Sequence, residues 1–206
     1  MVKQLRILVV VCFLVLAMVA VGCPAPQTVT VIATKTVTVT ATATTPASSG
    51  PTTYTNTEHG FSIIFPEGWI EGKTGFPNEV VSFAPGPQPM VPDIVVYLES
   101  VEAGTTIDEL GPQRSQELSQ GMGEGDEIVD EFTLISEGEV KLNDGTPAYE
   151  IECQFLVMQY NVYIQEKSLY VIRGTELFSI TGADMTSSFA ASEAILDGSI
   201  YTFHLQ

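Results

Sequence analysis

Few side chains in this chain are equipped for chemistry. It has two histidines, His59 and His204, and three cysteines, Cys12, Cys23 and Cys153. Two histidines cannot make a three-histidine zinc site, and neither a His-Glu-x-x-His nor a paired Cys-x-x-Cys spacing occurs. A Gly-x-Ser-x-Gly elbow and a glycine-rich phosphate loop are also missing. A serine triad built on either histidine stays open on sequence grounds. However, His59 precedes a glycine, as a solvated turn residue would, and His204 stands near the chain end, where fraying is expected. The one dense group is acidic: Glu124, Asp126, Glu127, Asp130, Glu131, Glu137 and Glu139 place seven carboxylates within sixteen residues. Hard cations such as calcium take oxygen ligands of this kind, so Glu124, Asp126, Glu127, Asp130 and Glu131 are the candidate metal ligands. The Asp-x-Asp-x-Asp-Gly loop that usually holds calcium is missing, which favours a solvated acidic edge.

The N-terminus speaks to location. Lys3 and Arg6 precede an apolar run from Ile7 to Val21, the pattern of a secretory leader over residues 1–22. The run ends in Ala20-Val21-Gly22-Cys23, which resembles the lipobox of exported lipoproteins with Ala20 where leucine is usual. Cys23 is then the expected site of lipid attachment and the first residue of the mature chain. The alternatives are a retained membrane helix, for which the run falls short of about 20 apolar residues, and a leader cleaved without lipidation. With Cys12 removed and Cys23 acylated, Cys153 is the one thiol left, so no disulfide is expected within the mature chain.

Residues 23–53 contain no acidic side chain and one basic one, Lys35, in a low-complexity run of Thr, Val, Ala and Pro. This composition reads as a tether. The alternation over residues 28–40 is too uniform on both faces to specify a strand partner. Residues 54–206 read as one domain, carrying all 25 acidic residues against five basic ones, a formal charge of −20. That surface disfavours nucleic acid and anionic lipid and keeps the domain soluble, and it also suits a cation or a basic protein partner.

Elements follow from periodicity. Phe61 to Phe65 alternates with Phe61, Ile63 and Phe65 on one face. Val80–Phe83 and Ile94–Leu98 are the next strands, joined by a proline-rich loop. Thr106-Ile107-Asp108-Glu109 has capping-box form and starts a helix with Ile107, Leu110, Arg114, Leu118 and Met122 at helical spacing, which Pro112 kinks or restarts. Phe132–Ser136 and Val140–Leu142 are expected as separate strands, followed by a turn at Asn143-Asp144-Gly145. The strand from Ala148 turns Tyr149, Ile151, Cys153 and Phe155 to one side, making Cys153 a buried structural thiol. Strands at Met158–Gln165, Leu169–Arg173 and Leu177–Thr181 complete a meander. A last helix follows Asp184, with Phe189, Leu196, Ile200 and Phe203 on its face and Gly198 as a possible early stop. This order predicts an α+β fold, an antiparallel sheet flanked by helices.

The segment YTNTEHGFSIIFPEGW from Tyr54 to Trp69, the helix from Thr106, the turn Gly145-Thr146-Pro147-Ala148 and the closing helix resemble PsbP-like domains over residues 54–206. The resemblance implies the α/β/α sandwich shared with Mog-type Ran-binding proteins. The best-known member of that family is an extrinsic subunit that helps assemble and steady the water-oxidising centre of photosystem II, and others are exported lipoproteins. The shared motifs mark a fold and carry over no catalytic residue, and the positive charge of the photosystem subunit is absent here. The resemblance therefore implies a non-catalytic accessory or binding module without a cofactor. The expected partners are the membrane, through the lipid on Cys23, and a protein, with no nucleic acid. A small-ligand or cation-binding surface, using the acidic stretch or a pocket around Trp69, is the alternative, and an unrecognised hydrolase the third reading.

Overall fold

The computed structural model describes residues 50–87, 91–121 and 129–206. The leader, Cys23, the tether up to residue 49, Met122 and the carboxylates Glu124, Asp126 and Glu127 lie outside the described residues. Among the described residues no helix is long and apolar enough to cross a membrane.

The alternation at Phe61–Phe65 forms strand β2, with Phe61 and Ile63 fully buried and Ile64 turned outward. It is flanked in an antiparallel three-stranded sheet by β1 (Thr52–Asn56) and β10 (His204–Leu205). β1 begins two residues inside the stretch read as tether, because Thr52 and Thr53 pair with Phe65 and Ile64. Its side chains are mostly exposed, so it shows no alternation of its own.

The larger sheet has the order β3-β4-β5-β9-β8-β7-β6 and is antiparallel throughout. Its strands are β3 (Ile70–Gly72), β4 (Glu79–Ala84), β5 (Asp93–Ser100), β6 (Val129–Lys141), β7 (Pro147–Val157), β8 (Val162–Arg173) and β9 (Glu176–Met185). One face packs under helix α2 (Thr186–Ile200) and the small sheet. There Ile94, Val96, Ala148, Leu169, Val171, Phe178 and Ile180 meet Phe61, Ile63, Phe189, Leu196, Ile200 and Phe203. Aromatic rings lock this layer: Phe65 stacks on Phe83 with centroids 4.4 Å apart, and Phe61 lies 5.2 Å from Phe203. The opposite face carries helix α1 (Ile107–Gly121), whose Leu110 and Ile107 pack with Tyr149, Ile151, Tyr170 and Leu177. This α+β sandwich matches the predicted class.

Several local expectations are corrected. β6 is a single strand through Glu137-Gly138-Glu139, because its ladder to β7 resumes after register shifts at Asp130/Thr133 and Leu134/Ser136. Met158–Asn161 is a turn, closed by bonds from Tyr160 N to Val157 O (3.1 Å) and Asn161 N to Met158 O (3.2 Å), with Asn161 at φ 52°. No glycine announces it. The two strands expected after it are one, β8. Pro112 sits inside an uninterrupted α1, and Gly198 does not end α2. Phe203 lies beyond the helix, reaching the core from the turn that follows. The Asn143-Asp144-Gly145 turn is as expected: Gly145 N donates to Leu142 O at 2.9 Å, and Gly145 supplies the left-handed φ of 89°.

Candidate functional site

The acidic stretch enters the described structure at Asp130 and Glu131. Both are exposed at the start of β6, and both are already engaged. Asp130 Oδ1 accepts the Glu131 amide at 2.8 Å, and the Glu131 carboxylate accepts the Tyr163 hydroxyl from β8. Glu131 holds a left-handed φ of 52°, where the strand is displaced from its ladder. Among the described residues no group of three His, Cys, Asp or Glu side chains is arranged to hold a metal ion. Glu137 and Glu139 lie further along the same strand, exposed at the sheet edge.

Cys153 is buried on the α1 side with Phe155, Leu118 and Ile164, as its strand parity predicts. Burial, then the carboxylates of Glu166 and Glu152, hold the thiol protonated far above its ordinary range. It has neither the exposure nor the positive surroundings of a nucleophile.

The histidines part company. His59 lies in the turn between β1 and β2, anchored through its backbone: its N–H donates to Asn56 Oδ1 at 2.8 Å, and its carbonyl accepts Arg173 Nη2 at 2.6 Å. It lines a cleft of about 840 Å³ shared with Tyr54, Glu58, Glu71, Lys73 and Glu79. Trp69 is not part of that cleft; it packs half-buried against the main core. Glu79 is closed off as a ligand, because Thr74 N, Gly75 N, Phe76 N and the Thr74 hydroxyl all donate to its carboxylate. Those bonds outweigh partial burial and hold it below the usual carboxylate range.

His204 does not fray. It pairs with Ser62 in β10, and its Nδ1 lies 2.5 Å from Asp144 Oδ2. The hydrogen bond to His204, reinforced by the Thr146 amide, draws the Asp144 carboxyl down to about 2. Asp144 and Ser62 thus each stand beside His204. Among the described residues no hydrogen bond joins Ser62 to the ring, the contact a serine relay needs.

A feature that the sequence reading missed lies on the outer strands of the meander. Ile135 is 47 % exposed and Leu134 40 % exposed midway along β6, opposite Cys153, and Met158, Tyr160 and Tyr163 are comparably exposed in and just after the β7–β8 turn. The signal was present in the apolar Leu134-Ile135 and in Met158 and Tyr160. Met158–Gln165 was expected as a strand, and the Met158–Asn161 turn that exposes Met158 and Tyr160 replaces its first half.

This is a seven-stranded antiparallel sheet with α1 on one face and α2 with a small sheet on the other. The PsbP family model matches residues 49–205, and the chain belongs to the PsbP family. Its fold is similar to the solution structure of the cyanobacterial PsbP protein (CyanoP) from Synechocystis sp. PCC 6803. The two share 19 % identity at a TM-score of 0.58 over 80 % of this chain and 96 % of that one. A 1.50 Å crystal structure from Bacteroides thetaiotaomicron VPI-5482 is similar at 13 % identity and a TM-score of 0.50, over 76 % of this chain and 48 % of that one. At these identities the likeness concerns the fold. A search of curated protein sequences gives no match.

Proposed function

We propose that this protein is a lipid-anchored, extracytoplasmic accessory module that performs no catalysis and binds a partner protein. The observation that carries the reading is the exposure of large apolar side chains on the outer strands of the meander: Leu134 and Ile135 midway along β6, Met158 and Tyr160 in the β7–β8 turn, and Tyr163 at the start of β8. Large apolar side chains left exposed on neighbouring strands are a mark of a protein contact. Carboxylates at Asp130 and Glu131 border the group, which disfavours an anionic bilayer as its target and favours a basic protein. The leader, the Cys23 lipobox and the acid-free tether support a module held off a membrane.

The test uses the full mature chain in native membranes. Chemical crosslinking should yield a specific adduct that is lost in an Ile135→Glu/Tyr163→Glu variant with unchanged thermal stability. An adduct that survives these substitutions, or a chain recovered soluble without acyl groups on Cys23, overturns the reading. The cleft beside His59 favours a second reading, a site for a small polar ligand, because its volume lies within the range of about 300–1,000 Å³ typical of such sites. Substitutions at Glu58 and Glu71, rather than at Tyr163, would then abolish function.

A further inference from the structure

β6 closes one end of the seven-stranded order, so among the described residues β7 is its one sheet neighbour. An edge strand leaves every second N–H and C=O directed away from the sheet, a template for another extended chain. Folded proteins usually blunt such edges with bulges and charge. Here the irregularities fall in the first half of the strand, between Asp130 and Ser136. From Ser136, opposite Glu152, to Lys141, opposite Pro147, pairing runs without interruption. Gly138 stands in the middle of that stretch, and a Cβ added there would meet nothing within 4 Å, so the sheet face above it is uncovered and leaves room for the side chains of an added strand.

Two features define what would fit the edge. A groove of about 540 Å³ opens at its end, lined by Ile107, Asp108, Val140, Pro147 and Ala148, with Glu139 and Lys141 at the strand itself. It is large enough for an apolar side chain. The charge alongside is acidic: Glu137 and Glu139 are exposed on the edge and share the α1 face with Asp108 in the groove, while Lys141 ends the stretch; Glu150 and Glu152 lie on the other face, engaged by Tyr201 and Gln165.

We propose that Ser136–Lys141 is a strand-addition site for an extended segment of a partner protein. The segment carries lysine or arginine opposite Glu137 and Glu139 and seats an apolar side chain in the groove beside Ile107. The proposal rests on the reading of this protein as a partner-binding module. Main-chain hydrogen bonds supply the affinity in this mode, and the groove with its flanking charges supplies the selectivity.

The test is titration of the mature chain with a short synthetic peptide of the pattern Val-Thr-Lys-Thr-Lys, whose valine and lysines share one face of an extended strand, followed by amide NMR shifts and hydrogen exchange. A matched peptide is N-methylated at alternate amides, keeping charge and side chains while removing the donors. The expected result is slowed exchange confined to residues 136–141 and shift changes there and at Ile107 and Asp108 in the groove. Affinity should fall by about tenfold or more on N-methylation, as the loss of one to two hydrogen bonds implies. A similar fall is expected in the Glu137→Lys/Glu139→Lys variant. Equal binding of the N-methylated peptide overturns the proposal, as does the absence of binding at millimolar peptide. Perturbations confined to Met158–Tyr163 overturn it too while leaving the partner-binding reading intact. Concentration-dependent self-association through the 136–141 amides would assign the edge to a second copy and likewise overturn it. If the double variant fails to fold, the comparison of the two peptides on the unaltered chain still decides. Loss of the Tyr163-dependent membrane adduct is the separate readout for the partner-binding reading.

Discussion

The ring of Tyr149 fills the space in which a side chain at Gly111 would stand. A Cβ built on Gly111 lies 2.2 Å from Cγ of that ring, well inside any tolerable contact. Gly111 is in the second turn of α1, and Tyr149 is nearly buried in β7, so this contact lets the helix approach the sheet closely. Gly111→Ala should therefore destabilise the fold by about 1–3 kcal/mol despite alanine's better helix propensity, because one element must shift. Urea unfolding measures it. Combining Gly111→Ala with Tyr149→Ala should cost less than the sum of the two single changes. Strict additivity would show that the ring is not what excludes the methyl group.

Arg173 fastens the small sheet to the large one. Its Nη1 donates to Gly60 O at 2.8 Å and its Nη2 to His59 O at 2.6 Å, while Glu176 neutralises it and its carbon Cζ lies 5.3 Å from the Phe178 ring centroid. A lysine cannot span both carbonyls. Arg173→Lys should thus recover little of the roughly 2 kcal/mol lost in Arg173→Ala. Hydrogen exchange should localise the loss to the Gln206 amide, which donates to Gly60 O at 2.9 Å. Full rescue by lysine would show that charge alone matters.

Asp93 sets a pH dependence. Burial first, then the carboxylates of Glu166, Glu79 and Asp184, raise it from an ordinary 3.8 to about 8. The folded state keeps this proton in a range where the unfolded chain has released it, so stability is full below about pH 4 and declines as pH rises toward 8. Glu166, raised by its own burial, acts in the same direction. Asp93→Asn should flatten the decline and give the higher urea midpoint at pH 8. Parallel pH curves for the two proteins would contradict the assignment.

The His204–Asp144 contact makes the opposite prediction at acid pH. Asp144 is held at about 2 against an ordinary 3.8, so its contribution is present above about pH 4 and is lost as pH falls toward 2. The pair is largely exposed, so the effect on stability is small. His204→Ala should raise the Asp144 carboxyl toward its ordinary value, read by carbon NMR titration. The Thr146 amide, which donates to Asp144 Oδ1 at 2.8 Å, limits the rise. An unmoved titration would assign the depression to that amide alone.

How far the fold could be read from residues varies with the local physics. β2 and β7 were legible because one face of each is buried, so Phe61, Ile63 and Phe65, and Tyr149, Ile151 and Cys153, alternate cleanly. β1 and β3 were not, because they are short strands with largely exposed side chains, held by pairing rather than by burial. The Met158–Asn161 turn was hidden because Asn161 reaches a left-handed φ without a glycine, within an apolar run. The candidate binding surfaces were the least legible. Leu134, Ile135, Met158 and Tyr163 look like core residues in sequence, and only the sheet order reveals that β6 is an edge.

Site-specific photocrosslinking from position 163 tests the central claim most directly, with a photoreactive phenylalanine replacing Tyr163 in the full chain in native membranes. The account predicts one dominant adduct with a basic extracytoplasmic protein, lost in an Ile135→Glu background and absent when the probe is moved to Glu58 in the cleft. A dominant adduct from Glu58 with none from position 163 would contradict it.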